Sequence, residues 1–247
     1  MAHVNKSEKN WDCAVSGKRG DGKSFTAVML ALILDDTFDI SRVVYSIEEF
    51  LHLVKILPPG SAIVADEIAE WFSSRNFMKS DNKDLSAILQ IFRVNRLIVI
   101  YTLPSMYQVD KNLRTMSDVY IAASRVHRDK NLCECRYYDI EIHPIRGKEP
   151  YTIHPVITGP DGYKKKITRV YFDRIPKELE KQYIAKKKAF NIRVIDEKLQ
   201  KKEDSLNKEE KVKRKFYCKK CDENFMSASV SDKPCHSKCR ATRTELI

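Results

Sequence analysis

The chain has 247 residues, 43% of them hydrophobic and 32% charged, with a formal net charge of +11. That length fits one sizeable α/β core with an appendage, or two small domains, and the charge favours an anionic partner without specifying a fold. No apolar run is long enough to span a bilayer, and residues 1–10 lack the apolar stretch of a secretory signal, so a soluble, cytoplasmic protein is expected. Seven cysteines, an odd number, fit thiols and metal ligands better than a disulfide frame.

The first element is an apolar strand, Cys13-Ala14-Val15-Ser16, which runs into Gly17-Lys18-Arg19-Gly20-Asp21-Gly22-Lys23-Ser24. An apolar run of helical length, residues 25–34, follows. Strand, GxxxxGKS and helix in that order are the context of a phosphate-binding P-loop; a chance glycine-rich turn would not carry both flanks. The glycines let the backbone curl around an anion, and the helix N-terminus presents N–H groups to it. Lys23 is expected to reach the β- and γ-phosphates of ATP, and the Ser24 hydroxyl to ligate Mg²⁺. Gly17, Lys18, Arg19, Gly20, Asp21, Gly22, Lys23, Ser24 and Phe25 are the expected nucleotide contacts.

Ser41 to Tyr45 reads as a strand, and Ser46-Ile47-Glu48-Glu49 as a capping box with Ser46 at the N-cap and Glu49 reaching back. Phe50, Leu51, Val54, Ile56 and Leu57 give the helix its apolar face, and Pro58-Pro59-Gly60 ends it. Ser61 to Ala65 is a continuous small or apolar run, as in a strand buried on both faces of a parallel sheet, and it ends at Asp66-Glu67. Asp66 is expected to hold Mg²⁺, usually through water, and Glu67 to polarise the water that attacks the γ-phosphate. An acid pair can also be a plain strand exit into solvent; its place downstream of a P-loop favours the catalytic reading.

Residues 71–83 form a loop containing Arg75, and Leu85, Ile88, Leu89, Ile91 and Phe92 mark an amphipathic helix with Arg93 and Arg96 at its end. Leu97 to Tyr101 is the next buried strand, with Thr102 at its tip. Ligands of open parallel sheets sit beyond the carboxyl ends of the strands, so Thr102 either senses the γ-phosphate or attacking water, or simply caps the strand. Lys111 to Met116 is a short helix or turn, and Val119 to Ala123 a further strand.

From Leu132 the pattern becomes alternating, over 132–143, 151–156 and 166–172, with a turn signal at Thr158-Gly159-Pro160-Asp161-Gly162. These are read as antiparallel strands added at the sheet edge. Cys133 and Cys135 share one strand face and read as ordinary buried thiols. Residues 176–215 form a long charged helix, or two, with the first half docked and residues 201–215 as a linker. The expected organisation is an ATPase domain over 1–175, a charged helical segment over 176–215 and a metal-binding tail over 216–247. In that tail Cys218-x₂-Cys221 and Cys235-x₃-Cys239 have nearly the spacing of a structural Zn²⁺ site, with His236 as an alternative fourth ligand and free thiols as the competing reading. Too short to bury a core of its own, the tail would need such a staple.

With Glu67 directly after Asp66 and Thr102 ending the neighbouring strand, the pattern fits a hydrolase; neither the lid nor the acceptor pocket of a nucleotide kinase is visible. The chain resembles the additional-strand, catalytic-glutamate P-loop ATPases. Within them it is most similar to the HerA/FtsK group, including zonula occludens toxin-like N-terminal domains and archaeal and viral DNA-packaging ATPases. The residues that carry this are Gly17 to Ser24, Ala62 to Glu67, Ser73 to Met78, Phe92-Arg93 before Leu97 to Thr102, and Val109-Asp110-Lys111 through Asp118, so it covers about 11–175. Val94 stands where many relatives carry histidine.

The resemblance implies a RecA-like α/β fold with a mostly parallel sheet and an extra strand between the two nucleotide-binding strands. It further implies a homo-oligomeric ring, commonly hexameric, that moves double-stranded DNA with ATP, and an arginine supplied by the neighbouring subunit: Arg93 first, then Arg75, with Arg96 a third candidate. Portal, capsid or transfer proteins are the implied docking partners. A non-motor ATP-dependent switch whose basic tail docks a protein is the alternative, and phosphoryl transfer to a small acceptor is a third reading.

Overall fold

Short apolar runs flanked by glycine, proline and acids become strands here because they can be covered on both faces. The computed structural model describes residues 10–68, 95–108, 114–115, 117–142, 150–212, 214–218, 223–227 and 245–246. In chain order the elements are β1 (Trp11–Ser16), α1 (Lys23–Leu34), β2 (Val43–Val44), α2 (Ile47–Ile56), β3 (Ala62–Ala65), β4 (Ile98–Leu103), β5 (Val119–His127), β6 (Leu132–Ile142) and β7 (Pro150–Ile153). The hairpin strands β8 (Val156–Thr158) and β9 (Lys164–Lys166), then β10 (Arg169–Asp173), α3 (Lys177–Val212), β11 (Arg214–Cys218), β12 (Glu223–Ser227) and β13 (Glu245–Leu246) follow among the described residues. Two compact units are present, Met1–Ala185 and Lys186–Ile247.

In the first unit the main sheet runs β10-β6-β5-β1-β4-β3-β2, with β7 also on β6. Neighbours from β5 to β2 are all parallel, whereas β6 is antiparallel to β5, β7 and β10. The α/β class, the parallel centre and the antiparallel edge all match expectation. So does the inserted strand: β4 lies between β1, which leads into the glycine loop, and β3, which ends in the acid pair. Ile63, Val64, Ile98 and Ile100 are at most 2% exposed, and complete burial of such a side chain contributes about 1.5–3 kcal/mol. Phe50, Val54 and Ile47 of α2 join the same core as Ile63, Val99 and Leu97.

Several boundaries differ from the sequence reading. Only Val43–Val44 pair as a strand; Ile40–Arg42 form a 3₁₀ turn because the Asp39 carboxylate accepts the Ser41 N–H at 2.6 Å. Ser46 does cap α2, accepting from Glu49 N, but the Glu49 carboxylate reaches past Ser46 to the Tyr45 N–H, at 3.0 Å. Thr102 is an interior residue of β4, not its tip, since Leu103 still pairs with Ser16. The alternating stretches are also more divided than expected: residues 156–158 and 164–166 form a separate two-stranded hairpin and do not join the sheet edge.

The long helix is a single continuous one over residues 177–212. Its first turns are docked, with Tyr183 4% exposed, while Ile192, Ile195 and Leu199 are exposed. The expected helix over 85–92 and the loop over 71–83 lie outside the described residues, as does most of 111–116. The second unit contains the small antiparallel sheet β12-β11-β13.

Candidate nucleotide site

The parallel register is what assembles the site. Val15 pairs with Thr102 on one side of β4, and Ala65 pairs with Tyr101 on the other. Asp66 therefore leaves β3 next to Thr102, and the glycine loop leaves β1 at the same edge of the sheet. The loop folds on itself: the Lys18 N–H donates to the Asp21 carboxylate at 2.8 Å and the Asp21 N–H to the Lys18 carbonyl at 3.2 Å.

Gly20 and Gly22 adopt φ of 93° and 84°, the left-handed region that side chains with a Cβ resist. Gly22 is doubly constrained, because a Cβ there would lie 3.1 Å from Cys133 Sγ and from Val126 Cγ2. Lys23 opens α1, whose N-cap is Gly22 with no side-chain acceptor and whose first turn contains no acid. Such an end offers backbone donors and positive dipole potential to an anion.

At the bottom of this cradle the Asp66 carboxylate is 1% exposed and held by three hydroxyls. Ser24 donates to Oδ1 at 2.9 Å, Thr102 to the same oxygen at 2.6 Å, and Tyr183 to Oδ2 at 2.7 Å. Thr102 Oγ1, fully buried, also accepts the Glu67 N–H at 2.8 Å. Glu67 itself has φ of 57°, an uncommon conformation for a non-glycine residue. A buried carboxylate beside a serine hydroxyl is a hard-oxygen donor set, which suits Mg²⁺. With the glycine cradle above it, the residues present fit a magnesium-nucleotide.

Ser24, Asp66, Thr102 and the Glu67 backbone are thus brought together, with Lys23 at the adjoining helix start. Arg75 and Arg93 lie outside the described residues. Arg96 is described, with φ of 52° and its carbonyl accepting the Gly60 N–H at 2.8 Å. It precedes β4, so one strand of six residues, about 20 Å, separates it from the Leu103 end. Asp118 ties the start of β5 to β1, accepting the Asp12 N–H at 2.8 Å, also at the edge away from the site. Cys218 is the last residue of β11, opposite Glu223, while Cys221, Cys235, His236 and Cys239 lie outside the described residues.

Tyr183 is the residue that sequence reasoning missed. The sequence places it only within the docked first half of a charged helix. Its ring packs edge-on against Phe25, with centroids 5.5 Å apart and planes at 66°, so Phe25 serves as a wall for that helix. Burial and the Asp66 charge beside it push the Tyr183 phenol well above its usual pKa, so it is a hydrogen-bond donor at every ordinary pH.

Behind the loop, Cys133 and Cys135 are both buried as expected, with sulfurs 3.8 Å apart. A hydrogen bond from Cys135, opposed by burial, brings the Cys133 thiol down to about 7, and Cys135 is displaced upward by the same contact. Cys133 Sγ also lies 3.3 Å from the Asp21 carbonyl. Among the described residues no helix is long and apolar enough to cross a membrane.

No family model and no curated protein matches the chain. Among solved structures it is similar to the N-terminal domain of zonular occludens toxin from Neisseria meningitidis, at 14% identity over 59% of this chain and 94% of that one, with a TM-score of 0.37. It is also similar to the genome packaging NTPase B204 from Sulfolobus turreted icosahedral virus 2, at 12% identity over 61% and 100%, with a TM-score of 0.34. A third likeness is to the flagellar accessory protein FlaH from Methanocaldococcus jannaschii, at 14% identity over 64% and 89%, with a TM-score of 0.33. At these scores the likenesses carry no functional weight, and the residues of the site must do so.

Proposed function

We propose that the chain is a P-loop ATPase that binds MgATP and hydrolyses it to move double-stranded DNA as a homo-oligomeric ring. The observation that carries the ATPase reading is the buried Asp66 carboxylate, bonded to Ser24 and Thr102 below the glycine loop. In this reading Lys23 and the loop N–H groups hold the β- and γ-phosphates. Ser24 and Asp66 hold the magnesium ion, which neutralises phosphate charge when bound, and Glu67 takes a proton from the attacking water. Thr102 fixes both acids at once. Arg93 or Arg75 of a neighbouring subunit supplies the remaining positive charge.

Support for DNA as the partner comes from charge and shape. The hairpin of β8 and β9 carries three exposed lysines in succession, Lys164, Lys165 and Lys166, next to Tyr163, which is 77% exposed. A two-stranded ribbon is of a size that a DNA major groove admits, and lysines on it would contact backbone phosphates. The tail cysteines are read as a Zn²⁺ site, which a metal assay on the wild type and Cys221→Ser decides.

The deciding experiment is the ATPase rate with and without double-stranded DNA, alongside the oligomer mass. DNA-stimulated turnover in a ring, abolished by Lys23→Ala, is expected. Turnover that ignores DNA, with no ring in any nucleotide state, refutes the motor and leaves the switch that docks a protein. Replacing all three hairpin lysines by alanine should weaken DNA binding uniformly across sequences and lower the salt slope by about two to three.

A further inference from the structure

No sequence motif connects Tyr183 to the glycine loop, yet its hydroxyl donates to Asp66. Ser24 and Thr102 both act on Oδ1, and Tyr183 alone of these three acts on Oδ2. The terminal torsion of an aspartate is broad and roughly two-fold, so donors on one oxygen leave the carboxylate plane poorly fixed. A donor on the second oxygen fixes it.

Tyr183 is itself held by groups other than Asp66. Its ring lies edge-on to Phe25, which directly follows Ser24. The start of α3 is clamped by a bidentate pair, Arg174 Nε and Nη2 to the two Glu180 oxygens at 2.9 and 2.6 Å. Ile175, 2% exposed, anchors the turn that leads into the helix.

We propose that Tyr183 is a positioning residue whose hydroxyl sets the plane of the Asp66 carboxylate for the divalent cation that accompanies the nucleotide. This rests on the MgATP reading above. Partners that orient a metal-binding group typically change metal affinity 10–100-fold, and a single neutral hydroxyl belongs at the lower end, about 10-fold. Binding coupling is reciprocal, so the cation must in turn hold Tyr183. The first turns of α3 should open about 10-fold less often when it is bound.

The test is Tyr183→Phe, which keeps the ring against Phe25 and removes only the hydroxyl. A fluorescent ATP analogue is titrated in EDTA and then with increasing Mg²⁺, with Mn²⁺ followed by electron paramagnetic resonance as a direct measure of the cation. Unchanged binding in EDTA, with a half-saturating Mg²⁺ concentration about 10-fold higher, is expected. An unchanged Mg²⁺ dependence, or the same loss in EDTA, overturns the proposal and leaves the tyrosine as packing. The wild type supplies a second measurement that needs no variant: hydrogen exchange of amides 179–186 with the analogue bound, with and without Mg²⁺. Slower exchange with Mg²⁺ is expected, and equal rates overturn the proposal. A wild type that binds no analogue in either condition refutes the nucleotide reading itself, which separates the two failures.

Discussion

Replacing Thr102 by valine removes one oxygen from a fully buried position and changes almost nothing in shape. Two hydrogen bonds go with it: the 2.6 Å bond to the Asp66 carboxylate and the 2.8 Å bond from the Glu67 N–H. Bonds to a charged group are worth about 1.5–3 kcal/mol and neutral ones about 1, so Thr102→Val should cost about 2–4 kcal/mol. A domain of this size loses about 2–4 °C per kcal/mol, which places the drop in melting temperature at about 5–15 °C by calorimetry.

Turnover should fall further than stability alone requires. The Glu67 backbone, at φ of 57°, loses the acceptor that holds it. A catalytic carboxylate displaced by an ångström costs on the order of 100-fold. Thr102→Ser keeps the hydroxyl and should retain most of both properties. A valine variant that melts within about 2 °C of the wild type would refute the reasoning, since bonds of this worth cannot vanish without a shift. So would a serine variant that loses as much, because the methyl group would then be the part that matters.

Glu67→Gly separates strain from chemistry. A left-handed non-glycine residue costs about 1–2 kcal/mol, and glycine returns about 0.5–1 of that through the unfolded chain, so stability should change by no more than about 1 kcal/mol. Turnover should fall at least about 100-fold, as for loss of a general base, and Glu67→Gln should likewise bind ATP without turning it over. A sharp loss of stability in Glu67→Gly would mark Glu67 as structural. Asp35→Ala tests the support of β3: the carboxylate accepts the Ala62 and Thr37 N–H groups and the Thr37 hydroxyl and pairs with Arg42 at 2.7 Å. The expected cost is about 3–5 kcal/mol in urea unfolding at neutral pH. Burial would raise the Asp35 pKa, but these donors and Arg42 outweigh it and hold the folded value below 3.8. The stabilisation is therefore full above that pH and lost as pH falls through the lower folded value, so the variant should show a shallower acid limb.

The parts of the fold written in contiguous residues were legible. Gly17 to Ser24 announces its own conformation because left-handed glycines and a helix start leave few alternatives. Ala62 to Glu67 and Leu97 to Thr102 announce buried parallel strands because their apolar runs do not alternate. The position of β4 between β3 and β1 came from resemblance to a family rather than from periodicity, and the register bears it out. Local competition blurred the boundaries. Asp39 turns the chain into a 3₁₀ segment where β-branched residues alone read as strand, and His154-Pro155 divides an alternating run between the sheet and the hairpin. Tyr183 was illegible for a different reason. Its partner Asp66 is 117 positions away, and no local pattern distinguishes a tyrosine that packs from one that also donates.

The antiparallel edge is part of the site. A Cβ on Gly17 would crowd Ala123 of β5 at 3.1 Å, and one on Gly22 would crowd Val126 and Cys133 at the same distance. The glycine loop thus rests on the far end of β5, the last parallel strand, and on β6, the antiparallel strand beside it. Next to them, β10 pairs with β6, and its buried Phe172 and the following Ile175 aim the chain at the start of α3. Without that turn Tyr183 would not reach Asp66. The glycine loop and the tyrosine that donates to Asp66 are therefore set by the same edge strands. It follows that damage to β6 or β10 should reach the proposed nucleotide site through backbone position.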